Sequence, residues 1–258
     1  MSVTDQFSLR GRTAVVTGGA GLYGRQIAEA LAEAGAETFM ASRDQVKLGE
    51  QAQAFRDRGL KVTALPLDQS SEASVDELLK RVVETTGRVD VLVNNAVLRP
   101  MGDWTSSADD FAKSMQVNAT GLFLMTRAFG EHMAARGSGS IVNVGSIQGM
   151  VGPDYTLYEG LNWGSPPDYF FHKGGMLQLT RYAAARLGPK GVRVNTISPG
   201  GFYDGQDDRF VQRYVGRTFL GRMADEQDLK GAIVFLASDA SRYVTGVNLP
   251  IDGGYTAK

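Results

Sequence analysis

The sequence predicts an α/β fold, in which one doubly wound parallel β-sheet carries helices on both faces. Three observations support this fold class. Short runs rich in β-branched residues alternate with longer segments of helical periodicity, the short runs are apolar almost throughout, and glycines separate the two kinds of segment. Parallel strands are buried on both faces and are joined by helical crossovers, so the pattern indicates this architecture.

The predicted elements alternate regularly along the chain. "RTAVVTG" is a buried strand, and the helix after it has Ile27, Leu31 and Ala34 on one face and stops at Gly35. No internal repeat and no Pro/Ser-rich linker is present, so residues 1–258 are predicted to form one domain. By the same criteria, strands are predicted at 12–18, 36–42, 60–68, 89–96, 139–146, 191–201 and 244–254, and helices at 25–35, 43–59, 74–87, 107–136 (whole or in two pieces), 169–188 and 225–238.

Composition restricts the classes of partner. The formal net charge is -1, which gives no reason to expect nucleic acid or an anionic membrane surface. Cysteine is absent and the histidines are only His132 and His172, so thiol chemistry and a His-rich metal site are excluded and no metal is expected. No apolar run is long enough to span a membrane, and the N-terminus lacks the apolar region of a secretory signal. We therefore expect a cytoplasmic protein with a small-molecule ligand.

The segment "TGGAGLYG" at 17–24 follows the first strand directly and opens the first helix. The backbone N–H groups at a helix start are free to bind an anion, and glycine lets a pyrophosphate approach the backbone closely. A simple strand–helix turn is the alternative, but this context is the one that dinucleotide binding requires. The cofactor-binding residues predicted from this turn are Gly18, Gly21, Leu22, Tyr23 and Gly24.

The end of the second strand, "MASRD", bears on which nicotinamide cofactor is bound. An acidic residue there would accept a hydrogen bond from the ribose 2′-OH, whereas Ser42 and Arg43 suit a 2′-phosphate. NADP(H) is therefore favoured. NAD(H) remains open, because Asp44 follows and can turn toward the ribose, and because a surface arginine is often merely solvated.

Further motifs stand in a specific order and spacing. They are Asp68 after the third strand, "NNA" at 94–96, Asn118 in "QVNATG", Ser146 in "NVGSIQG", Tyr169 with Lys173, "NTISPGG" at 195–201 and the closing "VTGVNLPIDGG". With the glycine turn, they make nearly the whole chain resemble the short-chain dehydrogenase/reductase family. The resemblance implies a Rossmann-type fold, NAD(P)-dependent alcohol–carbonyl chemistry and a homotetramer or dimer. It also implies cofactor contacts from Asp68, Asn95, Ala96, Tyr169, Lys173, Pro199, Gly200 and Phe202.

The catalytic residues that the resemblance implies are Asn118, Ser146, Tyr169 and Lys173. Reduction of a carbonyl needs a proton on oxygen, which a phenol can donate once a nearby cation lowers its pKa. Residues four apart share a helix face, so Lys173 is predicted to lie beside Tyr169. The resemblance adds that Lys173 bonds the nicotinamide ribose, Ser146 holds the substrate oxygen, and Asn118 bends its helix and anchors a water. The alternatives are a core-edge Tyr with a snorkelling Lys, and a helix-capping Asn.

Ser146 and Tyr169 are separated by more residues than in most members of the family, which indicates an insertion at about 150–167. Its aromatic and polar residues are predicted to cover the substrate, and the alternative is that its aromatic residues pack on each other or on a neighbouring subunit. The insertion resembles those of flagellin-glycan and nonulosonic-acid oxidoreductases, and the tail also resembles gluconate-5-dehydrogenase-like enzymes. The predicted substrate contacts are Ser146, Gln148, Tyr158, Asn162, Trp163 and Tyr169.

Three functional hypotheses follow from these patterns. The first is a dehydrogenase or reductase of a sugar, sugar acid or polyol. In the second, the same chemistry acts on a cyclic or aromatic ketone held in an apolar slot. The third is a non-catalytic nucleotide-binding regulator, which the presence of all four catalytic residues argues against.

Overall fold

A computed structural model describes residues 2–257 and confirms the predicted α/β fold. Seven parallel strands within these residues form one sheet in the order β3-β2-β1-β4-β5-β6-β7. The strand order reverses between β1 and β4, and ligands bind at such a switch point, beyond the carboxyl ends of the strands. The strands are β1 (Thr13–Thr17), β2 (Glu37–Ser42), β3 (Val62–Pro66), β4 (Val91–Asn94), β5 (Gly139–Val144), β6 (Val192–Pro199) and β7 (Asn248–Ile251).

Helices cover both faces of the sheet. The described helices are α1 (Leu22–Glu33), α2 (Gln45–Asp57), α3 (Glu72–Thr86), α4 (Ala108–Met115), α5 (Gly121–Ala135), α6 (Pro167–Leu187), α7 (Asp208–Val215) and α8 (Lys230–Ala237). A π-helical turn, Gln116–Thr120, joins α4 to α5, so the long predicted helix does consist of two pieces. Among residues 2–257, no helix combines the length and apolar character needed to cross a membrane.

Strand β1 shows why the predicted strands are continuously apolar. Ala14 and Val16 pack in the core beneath α1, α2 and α8, while Val15 packs in the core beneath α3, α5 and α6. All three side chains are fully buried. Because each face of the strand meets a helical layer, every residue in it is selected for burial, and alternation with polar residues is absent.

Two predicted elements near the C-terminus differ from the structure. The helix predicted at 225–238 begins only at Lys230, because the carboxylate of Asp228 accepts the backbone N–H of Asp225 and holds a turn before it. The last strand is confined to Asn248–Ile251, since Gly246 and Gly253 take positive φ angles on either side of it. Helix α7 has no counterpart among the predicted elements.

Candidate functional site

A cleft of about 680 Å³ opens beyond the carboxyl ends of the strands. It lies where β1 and β4 diverge, the expected place for a ligand. Asn118, Gly24 and Asn162 do not line it, although all three were predicted as site residues. The predicted site residues that do line it are Gly18, Gly21, Leu22, Tyr23, Ser42, Arg43, Asp68, Asn95, Ala96, Ser146, Gln148, Tyr158, Trp163, Tyr169, Lys173, Pro199, Gly200 and Phe202.

The glycine turn after β1 is braced by the segment after β4. The Thr17 hydroxyl accepts the backbone N–H groups of Asn95 and Ala96, each at 3.0 Å, and the Asn95 amide donates to the carbonyls of Thr17 and Gly18. Gly18 has a φ of 65°, and a Cβ on it would lie 2.8 Å from the Ala96 Cα. A Cβ on Gly24 would lie 2.1 Å from the Gly18 carbonyl oxygen. Gly24 therefore serves the packing of the turn, and its contact with the cofactor stays a prediction.

The end of β2 places Arg43 and Asp44 in different situations. The Asp44 carboxylate accepts the backbone N–H of Lys47 at 3.1 Å and so caps α2. Its carboxylate is thus committed to the helix start. Arg43 is exposed and lines the cleft near Asp68, whose pKa is lowered chiefly by its hydrogen bond to Ser70 and further by the Arg43 charge.

Helix α6 brings Tyr169 and Lys173 to the cleft at its first turns. A buried polar chain holds this helix against the sheet: Asn94 donates to Asn143 at 2.9 Å, and Asn143 donates to Thr180 of α6 at 2.8 Å. The position of α6, which carries Tyr169 and Lys173, is thereby fixed relative to β4 and β5.

Lys173 is almost fully buried, and its Nζ donates to the Val144 carbonyl at 2.5 Å. Burial lowers the pKa of Lys173, and the neighbouring Tyr169 opposes that shift. Burial on its own would raise the pKa of Tyr169, but the charges of Lys173 and Arg99 and a hydrogen bond to Ser146 together lower it below its ordinary value. The predicted pairing of the phenol with a cation is present in the structure.

Arg99 is a site residue that the sequence patterns did not identify. Its Cζ lies 4.3 Å from the centroid of the Tyr169 ring, so the guanidinium covers one face of the phenol. It lines the cleft and is exposed. A cation over an aromatic face is attracted by the ring and also stabilises a phenolate. Arg99 therefore adds a second positive charge to the predicted Tyr–Lys pair.

Two other ionisable rings near the site are unsuited to donating the proton. Tyr23 donates its hydroxyl to the Gly200 carbonyl at 3.0 Å, and burial raises the pKa of this phenol. His172 packs edge-on against Tyr169, with 5.2 Å between ring centroids. Burial, aided by the charges of Lys173 and Arg99, lowers the pKa of His172 to about 3, so this ring is neutral near pH 7. Of the two phenols, Tyr23 and Tyr169, the one with a lowered pKa is Tyr169.

Ser146 begins a single 3-10 turn, Ile147–Gly149, directly after β5. Its Oγ accepts the backbone N–H of Gln148 at 3.1 Å. The same hydroxyl hydrogen-bonds the Tyr169 phenol, so it is placed to donate to an oxygen that binds beside that phenol.

Asn118 lies in the π-helical turn, which provides the predicted bend between α4 and α5. Its side chain accepts the Leu98 N–H at 2.8 Å and donates to the Leu98 carbonyl at 2.7 Å and to Ser114 at 2.9 Å. The side chain thus fixes the loop that carries Arg99.

The insertion folds over one end of the cleft. Tyr158 and Trp163 line the cleft and pack on Phe210 of α7, with ring centroids 5.6 and 4.7 Å from it, and Trp163 keeps 41% of its surface exposed. Asn162 is exposed and does not line the cleft, so its contact with the substrate stays a prediction.

Comparison with known proteins adds evidence that the geometry alone does not provide. Residues 21–256 match the family model described as enoyl-(acyl carrier protein) reductase. The chain is 34% identical to galactitol 2-dehydrogenase (L-tagatose-forming) of Cereibacter sphaeroides over 99% of each chain. It is 35% identical to cis-4-hydroxycyclohexanecarboxylate dehydrogenase of Sinomonas cyclohexanicum, covering 95% of this chain and 97% of that one.

The structure also resembles solved structures throughout its length. One is a gluconate 5-dehydrogenase from Burkholderia cenocepacia J2315 in complex with NADP and tartrate. It has a TM-score of 0.88 and 32% sequence identity, and the match covers 100% of both chains. The resemblance to gluconate-5-dehydrogenase-like enzymes is thereby confirmed.

Proposed function

Because the chain belongs to the short-chain dehydrogenase/reductase family, we propose that it interconverts a secondary alcohol and a carbonyl on a polyhydroxylated acid, with NADP(H) as cofactor. The observation that carries this proposal is the Tyr169 phenol, flanked by Lys173 and Arg99 in the cleft. A proton donor of lowered pKa beside an exposed arginine suits a substrate that has both a reacting oxygen and a carboxylate.

The residues of the cleft fit a dinucleotide. The turn around Gly18 leaves no room for a Cβ and offers the backbone at the start of α1 to a pyrophosphate. Arg43 is positioned for a 2′-phosphate, while Asp44 is occupied in capping α2. This supports NADP(H) over NAD(H). When bound, the nicotinamide supplies or accepts the hydride.

The chain's own residues handle the proton and the substrate. Ser146 donates its hydroxyl hydrogen to the reacting oxygen and fixes its position. Tyr169 gives a proton to that oxygen during reduction and takes one during oxidation, and Lys173 and Arg99 stabilise the phenolate in between. Positive charge at this point lowers the barrier because it is already in place when the phenolate forms.

Arg99 favours a sugar acid over a neutral polyol. Within residues 2–257, the acidic residues that line the cleft are Asp44, which caps α2, and Asp68, which is hydrogen-bonded to Ser70, and neither forms an ion pair with Arg99. The relatives named above include enzymes of neutral and of carboxylate-bearing alcohols. A carboxylate on the substrate would pair with the guanidinium, most strongly in a bidentate arrangement.

A cyclic hydroxy acid is the second candidate substrate. The rings of Tyr158, Trp163 and Phe210 form an apolar wall that suits a cyclohexane ring, and one relative acts on such a compound. Both candidates share the carboxylate that Arg99 would bind. The non-catalytic alternative gains no support from a cleft that keeps Ser146, Tyr169 and Lys173 together.

The assembly and the location of the protein are also proposed. Phe123 of α5 and Phe171 and Tyr182 of α6 are exposed aromatic side chains on the helices expected to supply subunit contacts. We expect a homotetramer or dimer in the cytoplasm, which gel filtration with light scattering and cell fractionation would test.

A substrate survey tests the proposed function. Purified protein would be assayed with gluconate, tartrate, cis-4-hydroxycyclohexanecarboxylate and galactitol, using NADP⁺ and NAD⁺ separately and following nicotinamide absorbance. We expect turnover with NADP⁺ and kcat/KM for at least one acid about tenfold or more above galactitol, the advantage of one charge-assisted pair. Absence of turnover with every alcohol would overturn the proposal. A higher kcat/KM for galactitol than for every acid would overturn the claim that the substrate carries a carboxylate.

Arg43→Ala tests the cofactor assignment. Loss of the pairing with the 2′-phosphate should weaken NADPH about 10- to 100-fold while leaving NADH within about twofold, as expected for a charge-assisted hydrogen bond. Calorimetric titration of both cofactors measures this difference. Lys47→Ala, which removes an exposed cation from the first turn of α2, is the control and should change neither affinity. Equal weakening of both cofactors by Arg43→Ala would reject the 2′-phosphate contact.

A further inference from the structure

Two arginines, Arg213 of α7 and Arg217 just after it, bind the insertion through contacts that lie outside the cleft. Arg213 donates to the backbone carbonyls of Leu157 at 3.3 Å and of Glu159 at 2.7 Å. Arg217 pairs with the Asp154 carboxylate at 2.9 Å and donates to Thr156 at 3.2 Å. The acceptors all belong to the single turn of the insertion at 154–159. Six residues on two separate segments are thus joined by two guanidinium groups.

The inner side of the same two segments is aromatic. Trp163 of the insertion lies 4.7 Å from the ring centroid of Phe210, and Tyr158 lies 5.6 Å from it. All three rings line the substrate end of the cleft. Aromatic rings at these separations attract one another beyond their burial, but such contacts tolerate sliding more readily than directed hydrogen bonds. The hydrogen bonds and the ion pair of the two arginines therefore determine how the three aromatic rings that line the cleft are arranged.

A third connection links the insertion to the catalytic serine. The Ser165 hydroxyl donates to the Tyr158 hydroxyl at 2.6 Å and accepts the Gln148 side-chain amide at 3.2 Å. The backbone N–H of Gln148 in turn donates to the Ser146 Oγ. These bonds tie the insertion to the turn after Ser146 without involving Arg213 or Arg217, so loss of the two arginines should leave the Ser146 hydroxyl in place.

The two arginines contribute unequally. Arg217 and Asp154 are both partly exposed, and exposed ion pairs contribute little because water screens them. Arg213 donates from a charged group to two main-chain carbonyls, which are fixed acceptors and cost no side-chain entropy on the acceptor side. Arg213 is thus the principal contact and Arg217 the supporting one.

We propose that Arg213, supported by Arg217, is a positioning residue that joins the insertion and α7 into one cover and so preforms the aromatic wall against which the substrate binds. This inference rests on the proposed function only in placing the substrate in the cleft. Preformed walls raise affinity because the ordering of the loop does not accompany binding. The cover should therefore act on KM for the substrate, and much less on cofactor affinity or on kcat at saturation.

A fluorescence experiment tests the cover without any substrate. Trp104→Phe would leave Trp163 as the single tryptophan, because the chain contains two. In that background, Arg213→Ala with Arg217→Ala should shift the Trp163 emission further to longer wavelength, since a ring that is already 41% exposed loses its contact with Phe210 and becomes more exposed. Arg209→Ala, on the same helix but hydrogen-bonded to Asp207, should leave the emission unchanged. Unchanged emission in the double variant would overturn the proposal.

Kinetics in the Trp104-containing protein supply the functional readout. The double variant should raise KM for the best acid found in the survey about tenfold, the factor expected for one lost charge-assisted bond, with kcat and the NADPH dissociation constant within about twofold. A fall in kcat with unchanged KM would contradict the positioning role. Arg217→Ala alone, with a smaller KM effect, keeps the test informative if the double variant does not fold. If no substrate turns over in wild type, the proposed function fails. The fluorescence experiment then still tests whether Arg213 and Arg217 hold the insertion against α7.

Discussion

Tyr169→Phe is expected to lower kcat/KM by about 10³-fold or more, within the range attributed to loss of general acid–base catalysis. The substitution removes one oxygen and leaves the ring that packs between Arg99 and His172. NADPH affinity should stay within about threefold, because only one of the many cofactor contacts in the cleft is lost. Steady-state kinetics and calorimetry measure the two quantities on the same preparation.

Tyr182→Phe is the matched control for this variant. Tyr182 stands on the same helix, but it is exposed on the face away from the cleft. Removal of the Tyr182 hydroxyl should leave both turnover and cofactor affinity unchanged. Normal turnover by the Tyr169 variant would show that another group moves the proton, and the assignment of α6 as the catalytic helix would fail.

Arg99→Gln is expected to have the second largest effect on kinetics, through KM for the acid substrate. The acid substrate loses its partner for the carboxylate, so its KM should rise about 10- to 100-fold, while KM for a neutral polyol should change by less than about threefold. Arg99→Lys keeps the charge but not the planar fork, and should fall between wild type and the Gln variant. Arg127→Gln, which removes a guanidinium over the Phe123 ring outside the cleft, is the control and should affect neither substrate.

The same variant should move the pH profile of alcohol oxidation. The phenolate is the base in that direction, so the rate rises with pH through the pKa of Tyr169. The Arg99 charge helps to hold this pKa below its ordinary value, and its removal raises the pKa. The rising limb should therefore move to higher pH in Arg99→Gln and stay in place in Arg127→Gln. An unmoved limb would show that Arg99 does not act on the phenol.

The sequence predicted those features that local chemistry determines. The strands were recognisable because residues such as Val15 and Val16 lie in a strand that is covered on both faces, and the tight turn after β1 was recognisable because its glycines stand between a strand and a helix. Tyr169 and Lys173 were predicted as a pair because helical spacing alone brings them together. Each of these inferences needs only a few consecutive residues.

The features that were missed depend on contacts between distant segments. Arg99 lies in a loop whose path is set by hydrogen bonds from Asn118 to Leu98, twenty residues apart. Helix α7 is short, and its buried residues contact distant segments: Phe210 packs on Tyr158 and Trp163 of the insertion, and Tyr214 stacks on Tyr255. No periodicity in a single segment indicates such contacts, so Arg99 and α7 were found only when the structure placed them.

The central claim is that neighbouring cations make the Tyr169 phenol unusually acidic, and a direct titration tests it. Ultraviolet absorbance of tyrosinate would be followed against pH in wild type and in Tyr169→Phe, and the difference isolates one of the nine tyrosines. The predicted difference curve has its midpoint below about 10, the ordinary value for a phenol. A midpoint at or above that value would contradict the proposed mechanism.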